Sequence, residues 1–391
     1  MTATRAFSDR LPSRTDTNAL SRAVATLRSD GIGIVDLTES NPTRAGFDYP
    51  ADLLRPLGDV AALTYQPHPL GLQSAREAVA RDCQRRGAIV DPDSVVLTAS
   101  SSESYTWLFK LLCNPGESVL VPQPSYPLFE HLTRLEGLTA TPYELHYHGR
   151  WEVDFPSVEA APATTRALLI VTPNNPTGSF ISQRELEQLT AICRRRGWAL
   201  IADEVFADYG LDDVAPVTDL ASRAPVLSFT LGGASKSLGL PQVKLGWIMV
   251  GGPPAECAAA LAGLELIADT FLSVSTPVQI AAPELLRRAS TIRHAIHERV
   301  RRNLSRARDT ARRYPSCEVL RVEGGWCATV RVPATRSEES LVLDLLQRER
   351  ILVYPGYFFD FPREAFVIVS LLPPEDVFAE AFDRTLRFLQ S

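Results

Sequence analysis

Two lysines stand in a Gly/Ser-rich stretch of a chain that otherwise uses arginine. The stretch LGGASKSLGLPQVKLGW, residues 231–247, contains Lys236 and Lys244, and the chain has one other lysine, Lys110, among 40 Lys and Arg residues. A deprotonated lysine amine can form an imine with a carbonyl compound, whereas a guanidinium effectively cannot. The stretch therefore indicates a Schiff base on Lys236, and the alternative is a solvated loop lysine.

Further polar groups follow apolar runs elsewhere in the chain. Asp203 follows WALIA, and a carboxylate at the end of a buried strand must be paired or hydrogen-bonded. Ser100, Ser101 and Ser102 stand between a predicted strand and a predicted helix, where hydroxyl and backbone N–H groups bind phosphate. The alternatives are a carboxylate that caps nearby backbone and serines that only cap the helix.

Two more candidates lie in turns after predicted strands. Tyr126, in PQPSYP, could stack on a planar ring or pack in the core, and Asn175, in NNPTG, could donate a hydrogen bond or serve the turn alone. In open α/β sheets ligands bind beyond the carboxyl ends of the strands. We therefore expect these polar clusters to converge at one edge of a sheet.

The elements that position them alternate along the chain. Apolar runs predict strands at 94–99, 118–126 and 166–178, with amphipathic helices at 72–87 and 101–116. Such a succession is typical of a mostly parallel sheet between helices. We expect a large domain at 51–275 and a small α+β domain at 276–391, completed by an N-terminal segment at 1–50.

The motifs NNPTG, DEVFADY and SKSLGLPQVKLGW, in this order, resemble those of the fold type I pyridoxal-phosphate enzymes. The likeness is to the class I/II aminotransferases of the aspartate aminotransferase superfamily, from about Asp36 to the C-terminus. It implies an α/β fold whose large domain has a mostly parallel seven-stranded sheet between helices, plus a smaller α+β domain. It also implies a homodimer with shared active sites.

The resemblance also implies roles for the candidate residues. Lys236 would hold pyridoxal 5'-phosphate as a Schiff base and shuttle a proton, Asp203 would keep the pyridine nitrogen protonated, and Asn175 would contact the phenolic oxygen. Tyr126 would stack on the ring. The implied phosphate contacts are Ser100, Ser101, Ser102, Lys244 and, from the partner subunit, Tyr65.

The sequence departs from the family pattern at three positions. Phe206 stands where many members have a tyrosine that bonds the phenolic oxygen, and Gly233 where a phosphate-binding serine is common. Ile368, in FVIVSLL, occupies the position of the arginine that binds the substrate carboxylate. Asn41 and Arg44, in ESNPTRAG, are candidates for the substrate contact that this arginine would make. Arg363, which lies five residues before Ile368, is another candidate. Arg44 or Arg363 could instead be a solvated surface charge.

Composition excludes several function classes. The net charge of −6 and the absence of a polybasic cluster argue against nucleic acid and membrane partners. The six cysteines form no CxxC pair, which favours reduced thiols in a cytoplasmic protein. His146 and His148, in YELHYHG, are interpreted as a solvated strand and turn, so no metal site is expected.

The leading hypothesis is an aminotransferase that moves the amino group of an amino acid to a 2-oxo acid by a ping-pong mechanism. The alternative is a pyridoxal-phosphate enzyme of another reaction type: elimination, replacement, decarboxylation, oxidation or carbon–carbon bond formation. Phe206 and Ile368 keep that alternative open because fold does not determine reaction type. A non-catalytic regulator is disfavoured by the intact set of Lys236, Asp203 and Asn175.

Overall fold

The computed structural model describes residues 7–12, 17–211, 220 and 224–390 of the 391-residue chain. The large sheet, as far as these residues show it, has eight strands in the order β2-β9-β8-β7-β6-β3-β4-β5. These strands are β2 (Val95–Thr98), β3 (Ser118–Gln123), β4 (Thr139–Tyr147), β5 (Trp151–Val153), β6 (Thr165–Val171), β7 (Ala199–Asp203), β8 (Ser228–Gly233) and β9 (Gly246–Gly251).

The sheet is mostly parallel, which confirms the predicted fold class. Strands β8, β7, β6, β3 and β4 pair in parallel, whereas β9 is antiparallel to both of its neighbours, β2 and β8. The predicted number of strands was one too low, because the chain turns back after β4 and adds the short antiparallel strand β5. His146 and His148 lie at this turn, and the side chain of His146 is largely exposed.

Helices cover both faces of this sheet. They are α2 (Gln73–Gln84), α3 (Ser101–Leu112), α4 (Leu128–Leu135), α5 (Phe155–Glu159), α6 (Gln183–Arg196), α7 (Ala234–Ser237), α8 (Pro254–Phe271) and α9 (Thr276–Arg288). In β6, Ala167 and Leu169 pack in the cluster that includes α3 and α8, whereas Leu168 and Ile170 pack in the cluster that includes α6. Because successive side chains of a strand point to opposite faces, a continuous apolar run buries both.

A second, antiparallel sheet belongs to the C-terminal part of the chain. Its strands, in the order β10-β11-β14-β13, are β10 (Glu318–Val319), β11 (Cys327–Arg331), β14 (Phe366–Ser370) and β13 (Tyr354–Pro355). It shares a buried core with the helices α10 (Ser290–Ala311), α11 (Glu338–Glu349) and α12 (Glu375–Leu389).

The N-terminal segment joins this C-terminal core. Helix α1 (Ala19–Ser29) packs against α11, and β1 (Val35–Asp36) pairs in parallel with β12 (Ile351–Leu352). The division into an N-terminal segment at 1–50, a large domain at 51–275 and a small domain at 276–391 stays a prediction. Within the described part of the chain, no helix is both long and apolar enough to cross a membrane.

Candidate active site

Lys236 lies in α7, the single helical turn that follows β8. Its ammonium nitrogen is 5.3 Å from the ring centroid of Phe206 and 5.0 Å from that of Trp326. Burial lowers the pKa of Lys236, because removal from water disfavours the charged form, and nearby Asp203 opposes this only in part. The lower pKa favours a neutral amine, which is the nucleophilic form.

Hydrogen bonds to the backbone hold the turn that carries Lys236. The hydroxyl of Tyr209 donates to the carbonyl oxygen of Lys236 at 2.7 Å, and Nε of Arg293 donates to that of Ser237 at 2.9 Å. Arg293 also forms ion pairs with Asp82 and Asp208. Arg293, on α10, thereby links the carbonyl oxygen of Ser237 to Asp82 on α2 and fixes the turn to both helices.

Asp203 is the last residue of β7 and is buried. Its Oδ2 accepts a hydrogen bond from the hydroxyl of Tyr105 at 2.5 Å, and its Oδ1 accepts one from the backbone N–H of Val205 at 3.0 Å. Burial raises the pKa of Asp203, and these two hydrogen bonds act against that shift by stabilising the carboxylate. Tyr105 was not identified from the sequence, although it stands on α3 three residues after Ser102, which places both on one helix face.

The serine cluster occupies the N-terminus of α3. Ser100 is the N-cap, and its hydroxyl accepts from the backbone N–H of Glu103 at 3.3 Å, as the capping alternative predicts. Ser101 and Ser102 line a cavity of about 180 Å³ together with Asp203 and Lys236. The positive end of the helix dipole and its free N–H groups therefore face the same cavity as the lysine.

The two asparagines of NNPTG have different environments. Asn174 is buried, and its amide donates to the carbonyl oxygen of Pro124 and to Oγ1 of Thr177, while its Oδ1 accepts from Ser125. Asn175 lines the cavity, and its Oδ1 is buried without a hydrogen-bond partner in the described structure. Asn174 thus stabilises the turn, and Asn175 is left to contact a bound molecule.

The structure therefore brings most of the predicted residues together at one edge of the sheet. The residues from the sequence prediction that line this cavity are Ser101, Ser102, Tyr126, Asn175, Asp203 and Lys236. They lie at or beyond the carboxyl ends of five different strands, β2, β3, β6, β7 and β8, as expected for ligand contacts in such a sheet. Phe206, which the sequence analysis noted as a departure, lines the same cavity.

Other predicted residues lie away from this cavity in one subunit. Lys244 is exposed and has a left-handed backbone conformation, with φ at 56°. Arg44 is exposed, and the side chain of Asn41 accepts hydrogen bonds from Thr43. Tyr65 is 69% exposed and lines a separate cavity. The substrate and phosphate contacts predicted for these residues stay predictions.

The cavity is completed by residues from the C-terminal part of the chain and the N-terminal segment that were not predicted from the sequence. Trp326, Cys327 and Ser370 line it beside Lys236, and Ser40 comes from the N-terminal segment. Burial raises the pKa of Cys327 to about 11, so its thiol is protonated at neutral pH. The only sequence signal for these positions is their place at the ends of β11 and β14.

A second cavity, of about 520 Å³, adjoins the first. Residues shared by both linings include Ser40, Tyr126, Asn175 and Cys327. Ile368 lines the second cavity and lies two residues before Ser370 on β14, on the same face of the strand. The position to which the sequence prediction assigns the family's arginine thus lines the cavity with an apolar side chain.

The residues present fit pyridoxal phosphate. A partly buried amine of lowered pKa, a buried carboxylate, the N-terminus of α3 and the side chain of Asn175 line one cavity. These four groups offer one partner each for an aldehyde, a ring nitrogen, a phosphate and, through the amide N–H of Asn175, a phenolic oxygen. Among the described residues, no cluster of three or more His, Cys, Asp and Glu side chains is arranged to hold a metal ion.

The chain is similar to known proteins in sequence and in fold. Residues 51–378 match the family model for aminotransferases of class I and II. The glutamate-pyruvate aminotransferase AlaA of Haemophilus influenzae is 29% identical over 373 residues, which cover 93% of this chain and 92% of that protein. The alanine aminotransferase of Mycobacterium tuberculosis is 31% identical over 382 residues, or 94% of this chain and 88% of that protein. A crystal structure of an aminotransferase from Escherichia coli has a TM-score of 0.86 at 26% identity and covers 98% of both chains.

Proposed function

The chain belongs to the family of class I and II aminotransferases and is a pyridoxal-phosphate-dependent transaminase, and we propose that its two half-reactions use the cavity beside Lys236 in turn. An amino donor enters first and leaves as a carbonyl compound, and a 2-oxo acid then takes up the amino group, which is ping-pong kinetics. The observation that carries this proposal is the single cavity in which Lys236, Asp203 and Asn175 meet.

Lys236 is the proposed catalytic base and acid. Its Nζ would hold the cofactor at the aldehyde carbon and, once the substrate amine has taken that place, would move a proton between the substrate carbon and the former aldehyde carbon. Pyridoxal phosphate, when bound, supplies an electron sink for the negative charge that develops there. The rings of Phe206 and Trp326 exclude water around Nζ and keep its pKa low.

The other cavity residues bind and orient the cofactor. The carboxylate of Asp203 holds a proton at the pyridine nitrogen, since an anion beside that nitrogen raises its proton affinity. Ser101 and Ser102 bind the phosphate with hydroxyl and N–H groups at the start of α3. Asn175 contacts the phenolic oxygen, and Tyr126 lies against the ring. Ser100 and Lys244 do not line the cavity of a single subunit, and their contacts with the phosphate remain a prediction.

An exposed apolar surface supports the proposed homodimer. Val60, Leu63 and Tyr65 are 76%, 86% and 69% exposed, and Tyr65 lines a cavity of about 240 Å³ with Trp107, on which Phe271 stacks. Large apolar side chains that are exposed close together in the chain are a feature of surfaces that bind another protein. We propose that a second copy covers it and that Tyr65 of each copy reaches the phosphate site of the other. The six cysteines form no disulfide, which supports a cytoplasmic location.

An absorbance experiment tests the reaction. The purified holoenzyme is mixed with single amino acids and primary amines, then with a 2-oxo acid, while the cofactor spectrum and product masses are recorded. We expect one donor to remove the band of the lysine-bound cofactor and the oxo acid to restore it. Lys236→Ala should abolish both the band and turnover, and normal turnover in this variant would refute the assignment.

Subunit mixing tests the shared site. Lys236→Ala and Tyr65→Ala chains are each expected to form weakly active dimers. In a hybrid dimer, one site combines Lys236 of one chain with Tyr65 of the other, so mixing should restore roughly a quarter of the wild-type activity. If Tyr65 acts within its own subunit or not at all, mixing restores nothing beyond the average of the two variants.

A further inference from the structure

The cavity that adjoins the cofactor site is lined by apolar and neutral polar side chains. The apolar lining consists of Pro127, Tyr354, Phe358, Phe359 and Ile368. Because this cavity shares Asn175 and Cys327 with the site around Lys236, a substrate whose amine reaches Lys236 extends into it. Its lining therefore determines which substituents the substrate can carry.

Positive charge is scarce at this place. Of the described residues that line the two cavities, Lys236 is the one with a cationic side chain. Arg44 and Arg363, the two arginines that could replace the missing one, are both exposed and line neither cavity. Lys236 itself is engaged in the reaction, so it does not serve as a fixed partner for a carboxylate.

Negative charge lies close to the same cavity. Burial is the main cause that raises the pKa of Tyr354, and the carboxylates of Asp36 and Glu39 add to the shift. Asp36 has an ion pair with Arg28 at 3.7 Å, but the side chain of Arg28 is 62% exposed. Asp36 and Glu39 line neither cavity, and as carboxylates they offer no attraction to a further anion beside Tyr354.

A substrate carboxylate would meet an unfavourable environment here. Moving an ionised carboxylate from water into a largely apolar cavity is costly unless a cation or several donors pair with it. An aromatic or aliphatic group gains free energy on the same transfer because it leaves water for apolar contacts. A neutral amide or hydroxyl can be satisfied by single hydrogen bonds to Ser40, which lines both cavities, or to Asn18, which lines the second.

We propose that Ile368 makes this site selective for an amine whose amino-bearing carbon carries no free carboxylate and whose substituent is apolar. The proposal rests on the proposed transamination and names the substrate class of the same site. Amino acids, which supply the amino group, and 2-oxo acids, which accept it, bind more weakly and act as second partners at higher concentration. Ile368 acts as the specificity-determining residue, since a cationic side chain there would restore carboxylate binding.

Three matched donors test the proposal on the holoenzyme: L-phenylalanine, L-phenylalaninamide and 2-phenylethylamine. We expect kcat/KM for one or both neutral donors to exceed that for phenylalanine by roughly tenfold or more, the scale of one charge-assisted contact. Ile368→Arg should reverse the order through a lower KM for phenylalanine. Ile368→Met, which stays neutral in the same place, should keep the wild-type order.

A binding experiment keeps the test independent of turnover and of the folding of the arginine variant. The affinity of wild-type holoenzyme for 3-phenylpropanamide and for 3-phenylpropanoate is measured by calorimetry, and we expect the amide to bind more tightly. Tighter binding of the acid, or preferred turnover of phenylalanine, would overturn the proposal. Absence of turnover with every donor, alongside preferred amide binding, would refute the transamination scheme but uphold the selectivity.

Discussion

Tyr105→Phe is the sharpest test of how the fold prepares Asp203 for the cofactor. Tyr105 is buried in α3, packs against the rings of Phe109 and Phe129, and donates its hydroxyl proton to Asp203 at 2.5 Å. Phenylalanine keeps these ring contacts and removes only the hydroxyl. The substitution therefore isolates one hydrogen bond to a buried carboxylate.

The expected effect follows from the charge of the acceptor. A hydrogen bond to a charged group contributes about 1.5–3 kcal/mol, so its loss should weaken cofactor binding or lower kcat by roughly 10- to 150-fold. The loss should also raise the pKa of Asp203 further, because Tyr105 is the strongest influence that lowers it against burial. Activity should then decline at the acid side of the pH profile before it does in the wild type.

Fluorescence titration measures the cofactor affinity, and the pH profile of kcat measures the effect of the raised pKa of Asp203. Tyr143→Phe is the matched control, since Tyr143 is also fully buried and donates to one acceptor, the carbonyl oxygen of Leu169, at 3.0 Å. It should lose some stability and leave both readouts unchanged. Equal cofactor affinity and equal pH profiles in Tyr105→Phe and wild type would refute the reasoning.

Two further substitutions probe the support of the site. Asp208→Asn removes a carboxylate, with no side-chain exposure, from ion pairs with Arg85, Arg86 and Arg293, and should cost about 3–5 kcal/mol of unfolding free energy in urea at pH 7. Burial alone would raise the pKa of Asp208, but these guanidinium groups lower it below 3.8, so the deficit should persist at neutral pH and shrink only as pH falls below about 4. A deficit that disappears between pH 7 and 5 would contradict this account. Gly246→Ala places a Cβ 2.8 Å from Oγ1 of Thr98 and 3.0 Å from the backbone of Ser100, at the start of α3. Overpacking of about 1–3 kcal/mol should weaken cofactor binding by up to roughly a hundredfold, whereas Gly33→Ala, with no atom within 4 Å of its Cβ, should not. Equal cofactor affinity in both alanine variants would show that the packing around Gly246 does not position the phosphate site.

The site could be predicted to the extent that it depends on strand ends. Asp203, Asn175 and Lys236 each follow an apolar run long enough to identify as a strand, and parallel pairing then brings the ends to one edge. The eighth strand was not predicted because β5 has three residues and follows a turn that carries no strong hairpin signal. Helix α8 was not identified because its buried positions form a narrow seam at Ala260, Leu264 and Ala268 within an almost continuously apolar sequence.

The remaining cavity residues could not be predicted because tertiary packing alone places them. Trp326, Cys327 and Ser370 belong to the small domain and reach Lys236 only when the two sheets face each other. The position of Tyr105 could be predicted in part, because its spacing from Ser101 and Ser102 places it on the same face of the helix. Which strand end that face would meet depends on the order β2-β9-β8-β7, which the sequence does not encode locally.

The requirement at position 236 is an amine that can lose its proton, and the fold imposes it by burial. An arginine there would keep its charge at any physiological pH and would present five N–H donors to a wall of aromatic faces. A lysine between Phe206 and Trp326 loses hydration, and its lowered pKa makes the neutral amine accessible. Lys244 lies in an exposed turn where no such constraint acts, and nothing in the structure explains its preference over arginine. The rarity of lysine in this chain therefore indicates chemistry only at position 236. Both positions carry a lysine, and what separates them is that Lys244 is exposed whereas burial lowers the pKa of Lys236.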